Sequence, residues 1–312
     1  MTDRIPVLQL PPAVPLVPEV QAEFEARYEV HVHPAPDEVL PRIRGVLTDG
    51  ITGAPTELLE RLPALEMIAS SGVGYDGIDM AYCRRRGIRA SYTPDVLNDA
   101  VAELTLALML SHARRIPAYD AYARAGRWAA EGVPALTAQI AGARVGLLGI
   151  GRIGREIAAR LVAMKAEVAY HARSERPGLP DASHDDPVAR ARESDWLVAI
   201  LPATAETRGI VSRAVLEALG PEGTFVNVGR GALHDEAALI ELLESGALGG
   251  AALDVFEAEP TIPAPLRESP RVTLSPHMGS ATRATRHAMS ALTLENLTAH
   301  FEGRPLPTEI PA

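Results

Sequence analysis

Six residues, Gly149-Ile-Gly-Arg-Ile-Gly154, restrict the fold of this chain more than any others. The run Arg144-Val-Gly-Leu-Leu148 before them is short, apolar and bounded by turn residues, which predicts a buried parallel strand. Apolar residues recur at helical spacing from Arg152 to Met164. A G-x-G-x-x-G pattern alone also fits an ordinary strand-to-helix turn, but at a βα junction it predicts a dinucleotide cradle. Gly149 permits the tight turn, Gly151 lets a pyrophosphate meet the backbone without a Cβ between them, and Gly154 lets the helix pack close to the strand. Arg152 and Ile153 open that helix, whose N–H groups and positive dipole end face the phosphates.

The next strand, Glu167-Val-Ala-Tyr170, ends about 20 residues past the glycines, where NAD-binding sites place a carboxylate on the ribose 2′-OH. Here the sequence reads His171-Ala-Arg-Ser174. No acid is present, and Arg173 supplies a planar charged fork suited to a 2′-phosphate, with His171 and Ser174 beside it. This predicts NADPH in preference to NADH; the alternative for Arg173 is a solvated surface arginine.

At 312 residues the chain exceeds the usual size of one core, so two domains are expected. Short apolar strands such as Val7-Leu-Gln-Leu10, Gly45-Val-Leu-Thr48 and Met67-Ile-Ala-Ser70 alternate with helical stretches, which predicts a parallel sheet covered by helices. From Asn98 to Arg115 the chain is apolar nearly all round, as a buried helix would be. No window approaches the ~18 apolar residues of a membrane span, and the start lacks a signal peptide, so the cytoplasm is the expected location. A net charge of −10 argues against a nucleic-acid footprint. Cys83 is the single cysteine, which excludes an intramolecular disulfide and a cysteine-based zinc cluster, and packing is its expected role. His31 and His33 alternate on an expected strand and read as exposed residues rather than a metal pair.

The chain resembles the D-isomer-specific 2-hydroxyacid dehydrogenases, and among them the glyoxylate/hydroxypyruvate and 2-ketoaldonate reductases. The resemblance rests on Ser71-Gly-Val-Gly-Tyr-Asp-Gly-Ile-Asp79, Thr93-Pro-Asp-Val-Leu97, the glycine pattern, Val226-Asn-Val-Gly-Arg-Gly231, Leu253-Asp-Val-Phe-Glu-Ala-Glu-Pro260 and Ser275-Pro-His-Met-Gly-Ser-Ala-Thr282. It implies an α/β fold of two Rossmann-like or flavodoxin-like parallel-sheet domains with the active site in the cleft between them. A nucleotide-binding domain, 98–282, is expected as an insertion in a substrate-binding domain made of 1–97 and 283–312.

Reduction of a 2-keto acid needs a hydride, a proton for the carbonyl oxygen and a cation to hold the substrate. His277 is the expected proton donor, because imidazole can be charged near neutral pH and still release its proton. The resemblance makes Glu259, 18 residues earlier, its carboxylate partner. Arg230 follows the expected strand Thr224–Val228, at the end where open α/β sheets bind ligands, and would orient the substrate carboxylate and polarise the carbonyl. Val73 and Gly74 are expected to offer N–H groups to that carboxylate. The resemblance adds Leu201, Pro202, Thr207, Val228, Gly229, Asp254, Gly279 and Ser280 as cofactor contacts, shared with Arg230 and His277. Asp254 also reads as a turn acceptor. Singly, Arg230 can be a surface cap, Glu259 an exposed acid and His277 a core histidine; their shared order argues against all three.

Substrate identity is narrowed rather than settled. No basic cluster suits a substrate phosphate and no regulatory extension follows the last helix, which disfavours phosphoglycerate. Formate dehydrogenases of this superfamily carry glutamine where Glu259 stands. Glyoxylate, hydroxypyruvate and 2-ketogluconate remain, with a D-lactate or phosphoglycerate specificity using NAD, and a nucleotide-sensing corepressor, as alternatives. The stretch 119–137, with Trp128, resembles the family's dimer arm and predicts a homodimer.

Overall fold

The computed structural model describes residues 4–12, 14–171 and 186–311. They divide into two compact units: the residues up to Leu97 together with those from Ser280 onward, and Asn98–Gly279.

The first unit holds a parallel sheet of β1 (Pro6–Gln9), β2 (Glu29–Val32), β3 (Gly45–Asp49), β4 (Met67–Ser71) and β5 (Arg89–Ser91), in the order β2-β1-β3-β4-β5. Side chains alternate across a strand, and here both faces are covered, which is why these segments read as continuous apolar runs. Leu8, Val46 and Ile68 point into one cluster with Leu59 and Cys83. Val7, Leu47 and Met67 point into the other, with Phe24 and with Leu294 and Leu297 from the helix Arg283–Phe301. That apolar face returns the C-terminal helix to the first unit. Its start is fixed by Thr282, whose side chain accepts the Thr285 N–H at 3.1 Å.

The second unit holds β6 (Arg144–Leu148), β7 (Glu167–His171), β8 (Trp196–Ala199), β9 (Thr224–Asn227), β10 (Gly250–Leu253) and β11 (Val272–Leu274). All pairings are parallel, in the order β11-β10-β9-β8-β6-β7. From β6 the chain goes to β7 on one side, and β8 then lies on the other side of β6. The strand order therefore reverses between β6 and β8, and in open α/β sheets the carboxyl ends at such a point form a crevice for ligands.

One expectation is corrected in this unit. The helix expected over Asn98–Arg115 spans Asn98–Ala113, because Arg115 adopts a left-handed backbone (φ 50°) just before a second helix, Ile116–Arg124, that carries a proline in its first turn. The helix is not buried all round. Val101, Thr105, Leu108 and Met109 are buried, whereas Leu110 is 39% exposed. The segment beyond it, with the helices Ile116–Arg124 and Arg127–Glu131, contains no buried residue, and Trp128, Val133 and Leu136 are 65%, 81% and 96% exposed. Among the described residues, no helix is long and apolar enough to cross a membrane.

Candidate active site

The glycine cradle forms where the loops after β6 and β8 meet. Gly149 has φ +107°, and a Cβ there would lie 2.6 Å from the Ile200 carbonyl oxygen, so no side chain fits. A Cβ on Gly154 would lie 2.5 Å from the Gly149 carbonyl oxygen, which ties the helix Arg152–Ala163 closely to its own entry turn. Gly151 differs: it is the N-cap, a Cβ on it would meet nothing within 4 Å, and no side chain caps the helix. Open backbone and uncapped N–H groups at a switch point fit the pyrophosphate of a dinucleotide. Arg152 and Ile153 form the first helical turn.

His171 ends β7, and its carbonyl accepts the Gly149 N–H at 3.2 Å. Arg173 and Ser174 lie outside the described residues. Leu201 and Pro202 follow β8, and Thr207 closes their loop by donating its hydroxyl to the Pro202 carbonyl at 2.6 Å and accepting the Thr204 N–H at 2.7 Å.

Arg230, Glu259 and His277 all belong to loops at the carboxyl ends of β9, β10 and β11, which are neighbours in register, Asn227 beside Leu253 and Leu253 beside Leu274. Three adjacent parallel strands thus deliver three distant segments to one edge. Gly231 keeps the first two loops in contact, since a Cβ there would lie 2.0 Å from the Phe256 carbonyl oxygen. Val228 is buried beneath this loop, and Gly229 accepts from Arg230 Nη1 through its carbonyl at 2.8 Å.

His277 Nδ1 lies 2.7 Å from Glu259 Oε2, while Glu259 Oε1 accepts the Phe256 N–H at 3.0 Å. Burial by itself would raise the Glu259 carboxyl. The hydrogen bond and charge of His277, then the Phe256 amide and the charge of Arg230, outweigh it and hold the carboxyl below its ordinary range. An ionised carboxylate only accepts, so Nδ1 carries the hydrogen and Nε2 is the nitrogen left for other partners. His277 itself has a left-handed backbone (φ 54°), held by its N–H to the Asp254 carbonyl at 2.8 Å.

Asp254 is 1% exposed and acts as a turn acceptor: Oδ1 takes the Met278 N–H at 2.7 Å and Oδ2 takes the Gly279 N–H at 2.9 Å. Burial, opposed by hydrogen bonds from Ser275 and these amides, raises its carboxyl. Ser280 is the first residue beyond the second unit. Val73 and Gly74 belong to the first unit, after β4; among the described residues neither N–H has an acceptor, whereas the Gly72 N–H is taken by Thr93 Oγ1 at 2.8 Å.

Asn227 falls inside a sequence motif without a role read for it, and His234 and Glu236 lie in none. Asn227, fully buried, shapes the turn before Arg230, His234 lies against it, and Glu236 accepts the Glu257 N–H at 3.2 Å. The usable signal was a polar residue at the inner end of an otherwise apolar strand. The reading of His31 and His33 as exposed strand residues is corrected: β2 ends at Val32, and His31 is half-buried with Nε2 3.0 Å from Glu29 Oε1. Among the described residues no group of histidine, cysteine and acid side chains suits a metal ion.

Residues 106–279 match the model of the D-isomer specific 2-hydroxyacid dehydrogenase NAD binding domain. The chain is 44% identical over 268 residues to hydroxyphenylpyruvate reductase of Plectranthus scutellarioides, covering 86% of this chain and 85% of that protein. Identity is also 44% over 268 residues to glyoxylate/hydroxypyruvate reductase A HPR2 of Arabidopsis thaliana, with the same coverage of 86% and 85%. A solved structure of an NADPH-dependent glyoxylate/hydroxypyruvate reductase from Sinorhizobium meliloti, in complex with NADP and malonate, is similar with a TM-score of 0.92 at 39% identity, over 98% of this chain and 97% of that one. Cradle, three-loop constellation and relatives agree, and the chain belongs to the D-isomer-specific 2-hydroxyacid dehydrogenase family.

Proposed function

We propose that this protein reduces a small 2-keto acid, such as glyoxylate, hydroxypyruvate or 2-ketogluconate, to the D-2-hydroxy acid with NADPH, in the cytoplasm. The observation that carries the reading is the 2.7 Å contact between His277 and Glu259 on the loops adjoining that of Arg230. The bound nicotinamide supplies the hydride that reaches the carbonyl carbon. His277, charged and held by Glu259 through Nδ1, releases the Nε2 proton to the carbonyl oxygen, and Glu259 stabilises the charged ring before that transfer. Arg230 polarises the carbonyl and holds the carboxylate, and Val73 and Gly74 are proposed as further substrate contacts through their N–H groups.

NADPH is favoured by Arg173 and Ser174 in the sequence and by the NADP-bound relative. The cofactor contacts proposed with the glycine cradle are His171, Leu201, Pro202, Thr207, Val228, Gly229, Asp254, Gly279 and Ser280. The exposed apolar segment around Trp128, Val133 and Leu136 supports a homodimer.

The test is the initial rate of NADPH oxidation with hydroxypyruvate, glyoxylate, 2-ketogluconate and hydroxyphenylpyruvate, each repeated with NADH. NADPH-dependent turnover of one of the first three is expected. Turnover with hydroxyphenylpyruvate alone would reassign the substrate, and none with any acid and either cofactor would overturn the reductase reading.

A further inference from the structure

The turn that carries Arg230 is shaped by one buried amide. Asn227 Oδ1 accepts the Gly229 N–H at 3.0 Å, and Nδ2 donates to the Arg230 carbonyl at 2.8 Å. Both partners are backbone groups of fixed polarity, so the amide has one orientation that satisfies them. The remaining side of Nδ2 faces His234 Nδ1 at 3.0 Å. A ring nitrogen opposite an N–H donor accepts, so Nδ1 is bare and the hydrogen of this imidazole sits on Nε2, which is buried with no hydrogen-bond partner among the described residues.

His234 is well placed to keep that role. It follows the short 3-10 turn Gly231–Leu233, its N–H returns to the Gly231 carbonyl at 3.2 Å, and it forms an isolated bridge with Val211. Its ring is 4% exposed and tilts against Phe225 with centroids 5.5 Å apart. Burial holds it neutral, with its pKa pushed down to about 4. An acceptor that stays neutral and dry through the physiological range is what the second Asn227 hydrogen needs, because a buried N–H without a partner would draw the amide away from the Arg230 carbonyl.

We propose that His234 is a positioning residue for Arg230, acting through Asn227 to lock the turn from which the guanidinium projects. The inference rests on the role given to Arg230 under the proposed function. It adds a histidine distinct from the His277 proton donor.

The experiment compares wild type, His234→Leu, His234→Asn, Arg230→Gln and the Arg230→Gln/His234→Leu double variant, with NADPH and the best keto acid. Leucine removes the acceptor; asparagine can return an acceptor near the Nδ1 position. His234→Leu is expected to lower kcat/KM for the keto acid about tenfold, as a displaced orienting group does. His234→Asn should recover most of it. Because the effect runs through Arg230, the double variant should be no slower than Arg230→Gln alone. Multiplying losses would overturn the proposal, as would wild-type rates for His234→Leu. If Arg230→Gln itself kept wild-type rates, the assignment of Arg230 would be at fault, and the positioning role would fall with it. Nitrogen-15 histidine spectra of the unmodified protein give a readout independent of variant folding: His234 should carry its hydrogen on Nε2, and a protonated Nδ1 would overturn the hydrogen-bond pattern.

Discussion

Acidification should weaken this fold through two histidines that folding keeps neutral. Burial pushes the pKa of both His112 and His234 down to about 4, with the charge of Arg115 adding to the effect at His112. In the unfolded chain each titrates at about 6.5. Between those values the unfolded state binds more protons than the folded one, so stability falls as the pH drops from about 6.5 toward 4. From pH 7.5 to 4.5 the loss is RT times the logarithm of the ratio of the two binding polynomials, about 2.5 kcal/mol for each ring. A folded pKa one unit higher gives about 1.8 kcal/mol by the same expression, and one unit lower about 2.7 kcal/mol. Over the whole chain that corresponds to about 4 °C in Tm per histidine. Asp254 and Glu236, whose carboxyls burial raises, work in the opposite direction, so the single-residue effect has to be read as a difference between proteins.

His112→Asn and His234→Asn remove the titrating ring and keep a polar group facing Thr273 Oγ1 and Asn227 Nδ2 respectively. Each variant loses packing and is expected to be less stable than wild type at pH 7.5. The deficit should then shrink by about 2.5 kcal/mol by pH 4.5. Denaturant unfolding at pH 7.5, 5.5 and 4.5 supplies the curves. Wild-type and variant lines that stay parallel over this range would refute the argument that buried neutral imidazole is the source of the acid lability.

His277→Asn should cut kcat for keto-acid reduction by about 10²- to 10⁴-fold; a smaller loss would mean that another group delivers the proton. Arg173→Ala should reduce the preference for NADPH over NADH by about 10- to 100-fold, the worth of a charge-assisted contact to a phosphate, and an unchanged ratio of kcat/KM values would remove Arg173 from the site. Gly231→Ala should lower Tm and activity together, since its Cβ would lie 2.0 Å from the Phe256 carbonyl oxygen and must push the Arg230 and Glu259 loops apart; a wild-type Tm with full activity would contradict that reading. Replacing Trp128 and Leu136 by serine should shift the protein to a smaller mass in light scattering, and an unaltered mass would place any dimer contact elsewhere.

What the sequence made legible was geometry imposed on the backbone. Gly149 and Gly154 sit where a Cβ would strike a carbonyl oxygen, and no other residue type meets that demand, so the cradle leaves a direct trace in composition. Apolar runs recorded burial equally well, but burial does not say what does the covering. The helix Asn98–Ala113 reads as enclosed because it is apolar on most sides, yet Leu110 is 39% exposed, and Trp128 and Leu136 in the segment beyond it are exposed too. An apolar residue type alone does not say whether the chain's own core covers it.

The polar connections were the least visible part, for a different reason. Asn227, His234 and Glu236 are residue types usually found in water; Asn227 and His234 meet within the loop after β9, whereas Glu236 takes its partner from the loop after β10, as Asp254, a turn acceptor in the sequence analysis, does from the loop after β11. Asn227 meets His234 across seven residues, Glu236 meets Glu257 across 21, and Asp254 meets Gly279 across 25. The last two spacings follow from the order of β9, β10 and β11 in the sheet and not from a helical or strand period. The reacting side chains are therefore easier to find than the residues that aim them. His277 and Arg230 are suggested by the chemistry a keto acid requires, whereas His234 becomes meaningful only once the orientation of the Asn227 amide is known.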